Sequence, residues 1–547
     1  MLNILRRHMT VALTLLALAQ HSFADQLLVP SDYPTIQAAI DAAKANDTIM
    51  VAGGIYHERI KLKRGVTLKS VGDDSPGKSS LHRAETTILD GGGKTGQGAG
   101  VTMADHSTLD GFTVRNVGVF DESAWQKHHA TQGNEQDHQH IGQPGTPGID
   151  ATNVSCRVIN NIVHHNGYSG IAISGPQAAP RITKNTCFKN LGAGIASMNG
   201  SRALISENTC FQNFYAGIGH ENASPTVTNN HCYENIRAGI GISEGACPVV
   251  RSNRCYRNRR AGIGTRSGAA TKPIIEDNDC YENDMAGIGT EEHAAPIIRN
   301  NRCYKNLLAG IGSQDHATAT IIGNECSQNQ KAGIGQQSDA HTTLINNHCH
   351  DNQTAGIGFE ACENGTATVI GNRVNNNQLV AVGIHSGWNV RLVNNQLSRE
   401  TGLPPIVMIF AGASVQMSGN TIRGGGVAGI RVAGNLQADN NVINGIAVRP
   451  GGPPNFAIWA LPDAKLIVRN NQIQRWRHGL YAEQATVTAT ENQISEFHNV
   501  AFAVKSLRGN PTITNNVITT KNPDAKIVGD ASSDIHPEHN QLIIESP

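Results

Sequence analysis

Short apolar runs alternate with polar turns along this chain, and the alternation repeats about every 23 residues. Between residues 185 and 358 the same order recurs eight times: Asn-x-Cys, usually an aromatic residue, then Asn, then Ala-Gly-Ile-Gly, a polar turn and an apolar run. Weaker copies place the first glycine at Gly148, Gly170 and Gly383. A fixed repeat of this length indicates a solenoid. In the eight regular copies the first glycine is Gly194, Gly217, Gly239, Gly262, Gly287, Gly310, Gly333 or Gly356.

Each repeat predicts β-strands rather than helices. It is too short and too rich in Gly and Asn for two packed helices, and no 3.6-residue apolar period runs through it. Its β-branched segments are three to five residues long and are separated by turn residues, which is typical of strands joined by turns. Stacked repeats would therefore form parallel strands about 4.8 Å apart.

Equivalent residues of stacked repeats form columns along the solenoid axis. One column holds eight cysteines, and because Val163, Val374 and Leu397 take the same place in flanking repeats, we expect this column to face the interior. Two asparagine columns run from Asn185 to Asn347 and from Asn190 to Asn352, where stacked amides can bond to one another. The cysteines are Cys187, Cys210, Cys232, Cys255, Cys280, Cys303, Cys326 and Cys349.

An aromatic column lies one residue beyond the cysteines and should point outward, because side chains alternate along a strand. These rings could stack on one another or on sugars. The column consists of Phe188, Phe211, Tyr233, Tyr256, Tyr281 and Tyr304.

The repeat resembles the right-handed parallel β-helix superfamily, which comprises the pectin-lyase-like proteins and the repeat shared by carbohydrate-binding proteins and sugar hydrolases. This resemblance implies an all-β fold, a single-stranded right-handed parallel β-helix of about 23 residues per coil. The segment Pro30-Ser31-Asp32-Tyr33-Pro34-Thr35-Ile36 opens a short amphipathic helix to about Ala45. It resembles the N-terminal cap of pectin-lyase-like proteins, where such a helix closes the end of the barrel.

The order of segments along the chain predicts one exported domain. In residues 1–24, Arg6 and Arg7 precede a short apolar run and a small-x-small cleavage pattern, which is typical of a secretory signal peptide. The apolar run is too short to cross a bilayer, and no later segment qualifies. Residues 25–547 would then form one β-helix domain in the periplasm or outside the cell, since a solenoid grows by adding coils.

The overall charge narrows the choice of partners. Lys and Arg together number 44 and equal the 44 Asp and Glu residues. A nucleic-acid or membrane-surface binding face is generally basic, so this balance argues against both kinds of partner. Oligomeric state is left open by the sequence.

The Gly-Ile strand offers the best place for chemistry. With the isoleucine pointing inward, the second residue after the first glycine points outward and is nearly always Gly or Ala. This column of small residues is predicted to end at Asp150 on one side and at His385 on the other. A floor without side chains lets a polymer approach the backbone closely. The fourth residue also points outward and forms a polar wall beside this floor, namely Met198, Glu221, Ser243, Arg266, Glu291, Gln314, Gln337 and Glu360.

On this face we predict an acid/base centre of Glu221, Arg266 and Glu291. A carboxylate can exchange a proton with a sugar or bind a cation, and an arginine beside it can neutralise a uronate. The superfamily resemblance implies a lyase, epimerase or hydrolase acting on an acidic polysaccharide. The predicted substrate-binding residues are Glu244, Gln314, Gln337, Glu360, Asp150 and His385.

Other interpretations stay open at this point. In a non-enzymatic scaffold or binding protein, glycine would simply avoid crowding between coils. No dedicated motif of a pectin- or alginate-active enzyme can be matched in the sequence. Carboxylates of the wall are compatible with Ca²⁺. The polar insert of residues 118–147 carries His128, His129, His138 and His140, which could hold copper or zinc.

A metal-handling role is therefore a further alternative. The chain would then be a periplasmic accessory protein, similar to the β-helix family that supports copper-site assembly in nitrous oxide reductase. The cysteine column could in principle bind Cu(I), but its hydrophobic replacements favour buried packing as reduced thiols.

Overall fold

The computed structural model describes residues 25–131, 146–446, 455–498, 500–529 and 537–546. Within these ranges the chain forms three long parallel β-sheets, one strand of each per coil, wound as a right-handed solenoid. Strand pairing joins each coil to the next in register, as for Cys232 with Cys255 and Gly241 with Gly264. The predicted all-β parallel β-helix is confirmed. The predicted signal peptide lies outside the described residues.

The first sheet carries the apolar run that precedes the first asparagine of each repeat. Its 20 strands are Gln26–Val29, Thr48–Val51, Thr67–Ser70, Thr108–Asp110, Arg157–Ile159, Arg181–Thr183, Leu204–Ser206, Thr226–Thr228, Val249–Arg251, Ile274–Glu276, Ile297–Arg299, Thr320–Ile322, His341–Ile345, Gly365–Ile370, Trp388–Val393, Ser414–Ser418, Asn435–Asp439, Lys465–Arg469, Thr486–Thr490 and Thr512–Thr514.

The cysteine sheet carries the cysteine and aromatic columns. Its strands are Gly54–Tyr56, Thr87–Asp90, Thr113–Arg115, Ile162–His164, Thr186–Phe188, Thr209–Phe211, His231–Tyr233, Arg254–Tyr256, Asp279–Tyr281, Arg302–Tyr304, Glu325–Ser327, His348–His350, Arg373–Asn375, Gln396–Arg399, Thr421–Gly424, Val442–Gly445, Gln472–Gln474, Gln493–Ser495, Val517–Thr520 and Gln541–Ile544.

The Gly-Ile sheet carries the predicted functional face. Its strands are Ile60–Lys61, Val101–Thr102, Ile149–Thr152, Ile171–Ser174, Ile195–Met198, Ile218–Glu221, Ile240–Ser243, Ile263–Thr265, Ile288–Thr290, Ile311–Ser313, Ile334–Gln336, Ala355–Phe359, Val380–Ile384, Val407–Ile409, Ala428–Val432, Phe456–Ala460, His478–Glu483, Val500–Lys505 and Lys526–Gly529.

Three α-helices accompany the sheets in the described part of the chain: α1 (Ile36–Ala42), α2 (His82–Thr86) and α3 (Glu122–Ala130), with a 3-10 turn at Pro537–His539. The Thr35 hydroxyl accepts a hydrogen bond from the Ala38 N–H and begins α1, which buries Ile36, Ala39 and Ile40. The predicted capping helix is therefore present, although it ends at Ala42. No helix in the described ranges is long and apolar enough to cross a membrane.

The interior confirms the predicted cysteine and asparagine columns. All eight column cysteines are fully buried, and none of the chain's 11 cysteines forms a disulfide. Both asparagine columns are also buried, and each side chain is bonded to the asparagine of the next coil. These ladders satisfy the polar groups of the turns, which would otherwise be costly inside the protein.

The outward aromatic column stacks on itself. Ring centroids of successive coils lie 4.9 to 5.0 Å apart, with interplanar angles of 2° to 11°. Each ring face between Phe188 and Tyr304 is thus covered by the next ring. Stacking of a sugar on these faces is not compatible with this arrangement.

Candidate functional site

The floor of the Gly-Ile face is built by strand register. Gly219, Gly241, Gly264, Gly289 and the equivalent residues of later coils pair with one another in a straight row. A Cβ atom added at Gly264 would meet only the Ala238 Cβ atom, at 3.7 Å, so the space above the floor is open. The predicted bare floor is present. It extends from Ala172 to Gly383.

Two predicted positions need correction at the end of this row. Gly383 pairs with Gly358, so it belongs to the floor, and Ala381 takes the place of the first glycine in that coil. His385 follows Ile384, the partner of Phe359, and therefore stands in the wall rather than the floor. The residue pattern around Gly383 matches the repeat two positions out of register, because the pair Gly383-Ile384 comes two residues after the place of Gly-Ile in the other coils. Asp150 pairs with Ala172 and does begin the floor row.

One side of the floor is the predicted polar wall, which we call the strand wall. It contains Met198, Glu221, Ser243, Arg266, Glu291, Gln314, Gln337, Glu360 and His385. The Gln314 side chain donates a hydrogen bond of 2.8 Å to the Glu291 carboxylate, and Gln337 donates to Gln314. Glu291, Gln314 and Gln337 thus form a hydrogen-bonded row over three coils.

The opposite side of the floor is a second wall, which was not predicted from the sequence and which we call the turn wall. It is formed by the second variable residue of each Asn-x-x-Ala turn, including Tyr168, Tyr215, Arg237, Arg260, Met285, Leu308, Lys331 and Leu379. Both residues between the asparagine and the alanine of each turn vary along the chain. Nothing in the repeat indicates whether such a turn residue points toward the floor.

The floor and its two walls enclose a groove of about 670 Å³ that reaches from Tyr168 to Phe410. This is a span of ten steps between coils, or about 48 Å. Such a length is suited to an extended polymer. A compact metabolite would fill only a small part of it.

Charges concentrate in the part of the groove nearer its N-terminal end. The Arg237 guanidinium lies 5.0 Å over the Tyr215 ring and is only 8% exposed. Burial, together with Arg260 and Arg266, lowers the pKa of Arg237 to about 10, which leaves it cationic at neutral pH. Burial also raises the pKa of Tyr215, so its phenol stays protonated.

The Glu221 carboxyl has a pKa above its ordinary value. The concave surroundings of the groove withdraw water from it, the charge of Glu244 adds repulsion, and Arg266 offsets part of the effect. The side chain nevertheless keeps an exposed surface. Glu221 can therefore hold a proton at a higher pH than a free glutamate, while a ligand in the groove can still reach it.

The three predicted acid/base residues share the strand wall but are spread along it. Arg266 and Glu291 stand in adjacent coils, whereas Glu221 and Glu291 are three coils apart. Three coils separate backbone atoms by about 14 Å, which exceeds the roughly 5 to 10 Å between the paired carboxyls of glycoside hydrolases. Of the six predicted binding residues, Gln314, Gln337, Glu360 and His385 line the groove; the other two, Glu244 and Asp150, border it from the turn and the first coil.

Within the described part of the insert, Glu122–Ala130 form the helix α3. Trp125 on α3 packs against Phe214 and Ile236 and donates a hydrogen bond to the Gln212 carbonyl. Lys189 pairs with Glu122 at 3.0 Å. These contacts hold α3 against the turns that contain Phe214 and Ile236. The residues that follow these two, Tyr215 and Arg237, belong to the turn wall.

The two described histidines of the insert take part in these contacts. His128 is buried edge-on against Phe214, and His129 stacks on Trp125 at 4.9 Å beside the Arg259 guanidinium. Burial and Arg259 lower the pKa of His129. His138 and His140 lie outside the described residues. Within the described ranges, no group of three or more His, Cys, Asp or Glu side chains is arranged to hold a metal ion.

Comparison with known families gives one family match. The model of the right handed beta helix region matches residues 132–273, 258–397 and 406–542, which together exceed half of the chain. No curated protein matches the sequence.

Several solved structures are similar to the chain at low identity. The periplasmic alginate epimerase AlgG is 12% identical over 68% of this chain and 84% of its own, with a TM-score of 0.38. The A-module of the Azotobacter vinelandii mannuronan C-5 epimerase AlgE4 is 14% identical over 76% and 93%, with a TM-score of 0.28. The catalytic unit of a GH87 alpha-1,3-glucanase from Streptomyces thermodiastaticus is 13% identical over 72% and 61%, with a TM-score of 0.31.

Proposed function

Since the chain belongs to the family of right-handed β-helix regions, we propose that it binds an extended, acidic polysaccharide along the groove of its Gly-Ile sheet. The observation that carries this proposal is the groove itself. The groove is ten coil steps long, and its bare floor lies between a turn wall with Arg237 and Arg260 and a strand wall rich in carboxylates and amides.

The two walls are suited to the two kinds of polar group on an acidic sugar. Guanidinium groups form paired hydrogen bonds with carboxylates, which fits Arg237 and Arg260 on the turn wall. Carboxylate and amide oxygens accept hydrogen bonds from hydroxyl groups, which fits Glu291 and Gln314 on the strand wall. A polymer lying on the floor would meet both sets of partners along its length.

The proposed reaction is proton exchange at the carbon next to a uronate carboxylate, as in a lyase or an epimerase. Arg266 would neutralise the carboxylate and so favour loss of that proton, while Glu221, with its raised pKa, would exchange it. Glu291, beside Arg266, would orient the sugar. Hydrolysis by two paired carboxyls is less well supported, because Glu221 and Glu291 are about 14 Å apart along the wall.

Export is part of the same proposal. Residues 1–24 would be removed as a signal peptide, leaving a periplasmic or secreted protein that begins near Asp25. Such a location would bring the groove into contact with extracellular or cell-envelope polysaccharides. N-terminal sequencing of the protein recovered from the producing cell tests this directly, and an intact N-terminus at Met1 would contradict it.

The activity experiment uses the chain from Asp25 with polymannuronate, polygalacturonate and a neutral glucan, each with and without Ca²⁺. Unsaturated ends, reducing ends and C5 epimerisation are measured together with binding. We expect activity on an acidic polymer only, and its loss in Glu221→Gln and Arg266→Gln. Matched controls on the outer face of the cysteine sheet, Glu282→Gln and Arg302→Gln, should keep it.

The remaining outcomes separate the alternatives. Binding without reaction would identify a non-enzymatic binding protein that uses the same groove. Absence of binding and reaction with every polymer would contradict the proposal. Stoichiometric copper or zinc in the isolated protein, lost when the four insert histidines are replaced, would instead favour the metal-handling role.

A further inference from the structure

We infer, on the basis of the proposed function, that the groove receives the end of a polysaccharide chain and is closed on its C-terminal side. The bare floor stops at Gly383. In strand register the next four floor positions are Met408, Arg431, Trp459 and Tyr481. Four large side chains therefore stand where ten preceding coils present only glycine or alanine, and they rise into the path of a polymer lying on the floor.

Contacts among these side chains make the barrier a packed structure. The Arg431 guanidinium lies 4.9 Å over the Trp459 ring, and one of its nitrogens is 3.5 Å from the Met408 sulfur. Phe456 packs between Trp459 and Tyr481, with ring centroids 5.4 and 4.8 Å away. Because each side chain is held by a neighbour, the barrier would not be displaced by rotation of one residue.

The last open coil has the character of a terminal subsite. His385 on the strand wall stacks on Phe410 at 3.8 Å, and Leu379 on the turn wall is 51% exposed. Apolar and aromatic surface of this kind suits the uncharged face of a sugar ring. Arg260 lies five coils before Leu379, or about 24 Å along the groove. The chain end would thus lie against Leu379 and Phe410, with acidic sugars following on the arginines.

The chemistry of the ligand follows from this order. It is an acidic polysaccharide with a free terminus, and the sugar at that terminus need not carry a charge. A groove of this form would act from a chain end and would not bind a segment inside a long polymer as tightly. Whether the reducing or the non-reducing end enters is decided by the experiment below.

The test compares three forms of an oligomannuronate of about twelve residues, bound to the chain from Asp25. One form is unmodified, and the others carry biotin with bound streptavidin at the reducing or at the non-reducing end. We expect one labelled form to bind at least about tenfold more weakly than the unmodified form, and the other to bind equally well. The weakened form identifies the end that meets Met408.

A variant that opens the barrier provides the second arm. Met408→Gly combined with Trp459→Gly removes both partners of the Arg431 side chain, and should narrow the difference in affinity between the weakened and the unmodified forms within the same variant. Ile467→Gly, an exposed change on the first sheet in the same coils, should leave this difference unchanged. Met408 and Trp459 are only half-buried, so we expect the double variant to fold. The comparison of the labelled forms uses the wild-type protein and does not depend on this variant.

The opposing outcomes are distinct from one another. Equal affinity for all three forms, or equal weakening by both labels, would overturn the inference of one closed end while leaving polysaccharide binding intact. Failure of every form to bind, together with failure of polygalacturonate, would overturn the proposed function and this inference with it.

Discussion

The Asn283 side chain accepts two hydrogen bonds from Asn258 in the preceding coil. Its Oδ1 atom lies 3.1 Å from the Asn258 backbone nitrogen and 3.0 Å from the Asn258 Nδ2 atom. The Asn283 Nδ2 atom in turn donates to the Cys255 carbonyl and to Asn306, each at 3.0 Å. One buried amide thus links three coils, and the same arrangement repeats along the column.

Replacing Asn283 with Ala should strongly destabilise the central coils. The change leaves the buried Asn258 N–H without its acceptor, at a cost of about 1 to 3 kcal/mol, and also removes the hydrogen bonds that Asn283 donates to the Cys255 carbonyl and to Asn306. We expect the free energy of unfolding to fall by about 3 kcal/mol or more, measured by urea denaturation. Asn364→Ala, an exposed turn residue, is the control and should have little effect. Equal stability of the two variants would show that the ladder contributes no net stability.

The interior position of Cys255 predicts opposite results for two substitutions. Cys255→Asp would bury an unpaired charge between Cys232 and Cys280, at a cost of several kcal/mol, and should unfold the central coils. Cys255→Val should cost about 1 kcal/mol or less, since Val163 and Val374 occupy this column in other coils. Circular dichroism during heating measures both. Cys247→Asp, at an exposed turn, should fold normally; a stable Cys255→Asp protein would contradict the buried assignment.

Buried His220 should make the protein sensitive to acid. Both ring nitrogens lack a hydrogen-bond partner among the described residues, and burial lowers the pKa of His220 to about 3. The unfolded chain takes up a proton below about pH 6.5 that the folded chain cannot accept, so stability present above that pH is lost as the pH falls toward 3.

The contribution of His220 can be measured by comparing unfolding at pH 7 and pH 4. The wild type should lose about 3 kcal/mol more than His220→Leu over this interval. Leucine is suited to the site because Ile242 occupies the next position of the same interior column. His57→Leu, at an exposed residue, serves as the control. Identical pH dependence of wild type and His220→Leu would show that His220 is protonated or solvated in the folded state.

The sequence predicted which side chains face the interior, because the alternation along each strand and the residue types of each column lead to the same assignment. Cys187 and Val163 in one column could only be buried, and the bare floor followed from the same alternation. The turn wall was not predictable, since the direction of residues such as Arg237 depends on turn geometry that no period encodes. Gly383 was placed two residues out of register because local residue types matched the repeat, whereas pairing with Gly358 decides the position. The helix around Trp125 escaped notice because its partners, Phe214 and Ile236, are distant in sequence.

Gly287 and Gly289 lie in one coil, and substitutions at these two positions distinguish effects on folding from effects on binding. A Cβ atom added at Gly287 would meet the Gly310 carbonyl at 2.7 Å and the Cys303 Cβ atom at 3.0 Å, whereas at Gly289 it would meet only the Ala261 Cβ atom at 3.7 Å. Backbone cannot move aside cheaply, so Gly287→Ala should lower the stability by about 1 to 3 kcal/mol. Gly289→Ala should leave the melting temperature unchanged or slightly raised, because alanine restricts the unfolded chain more than glycine does.

The same floor position then tests the groove. A larger side chain at Gly289 would stand in the path of a polymer without entering the core. We therefore expect Gly289→Leu to fold like the wild type and to lose binding of an acidic polysaccharide by about tenfold or more. Measuring the melting temperature and polymannuronate affinity of Gly287→Ala, Gly289→Ala and Gly289→Leu side by side distinguishes the two roles. Unchanged affinity in a folded Gly289→Leu protein would move the binding site away from the Gly-Ile sheet.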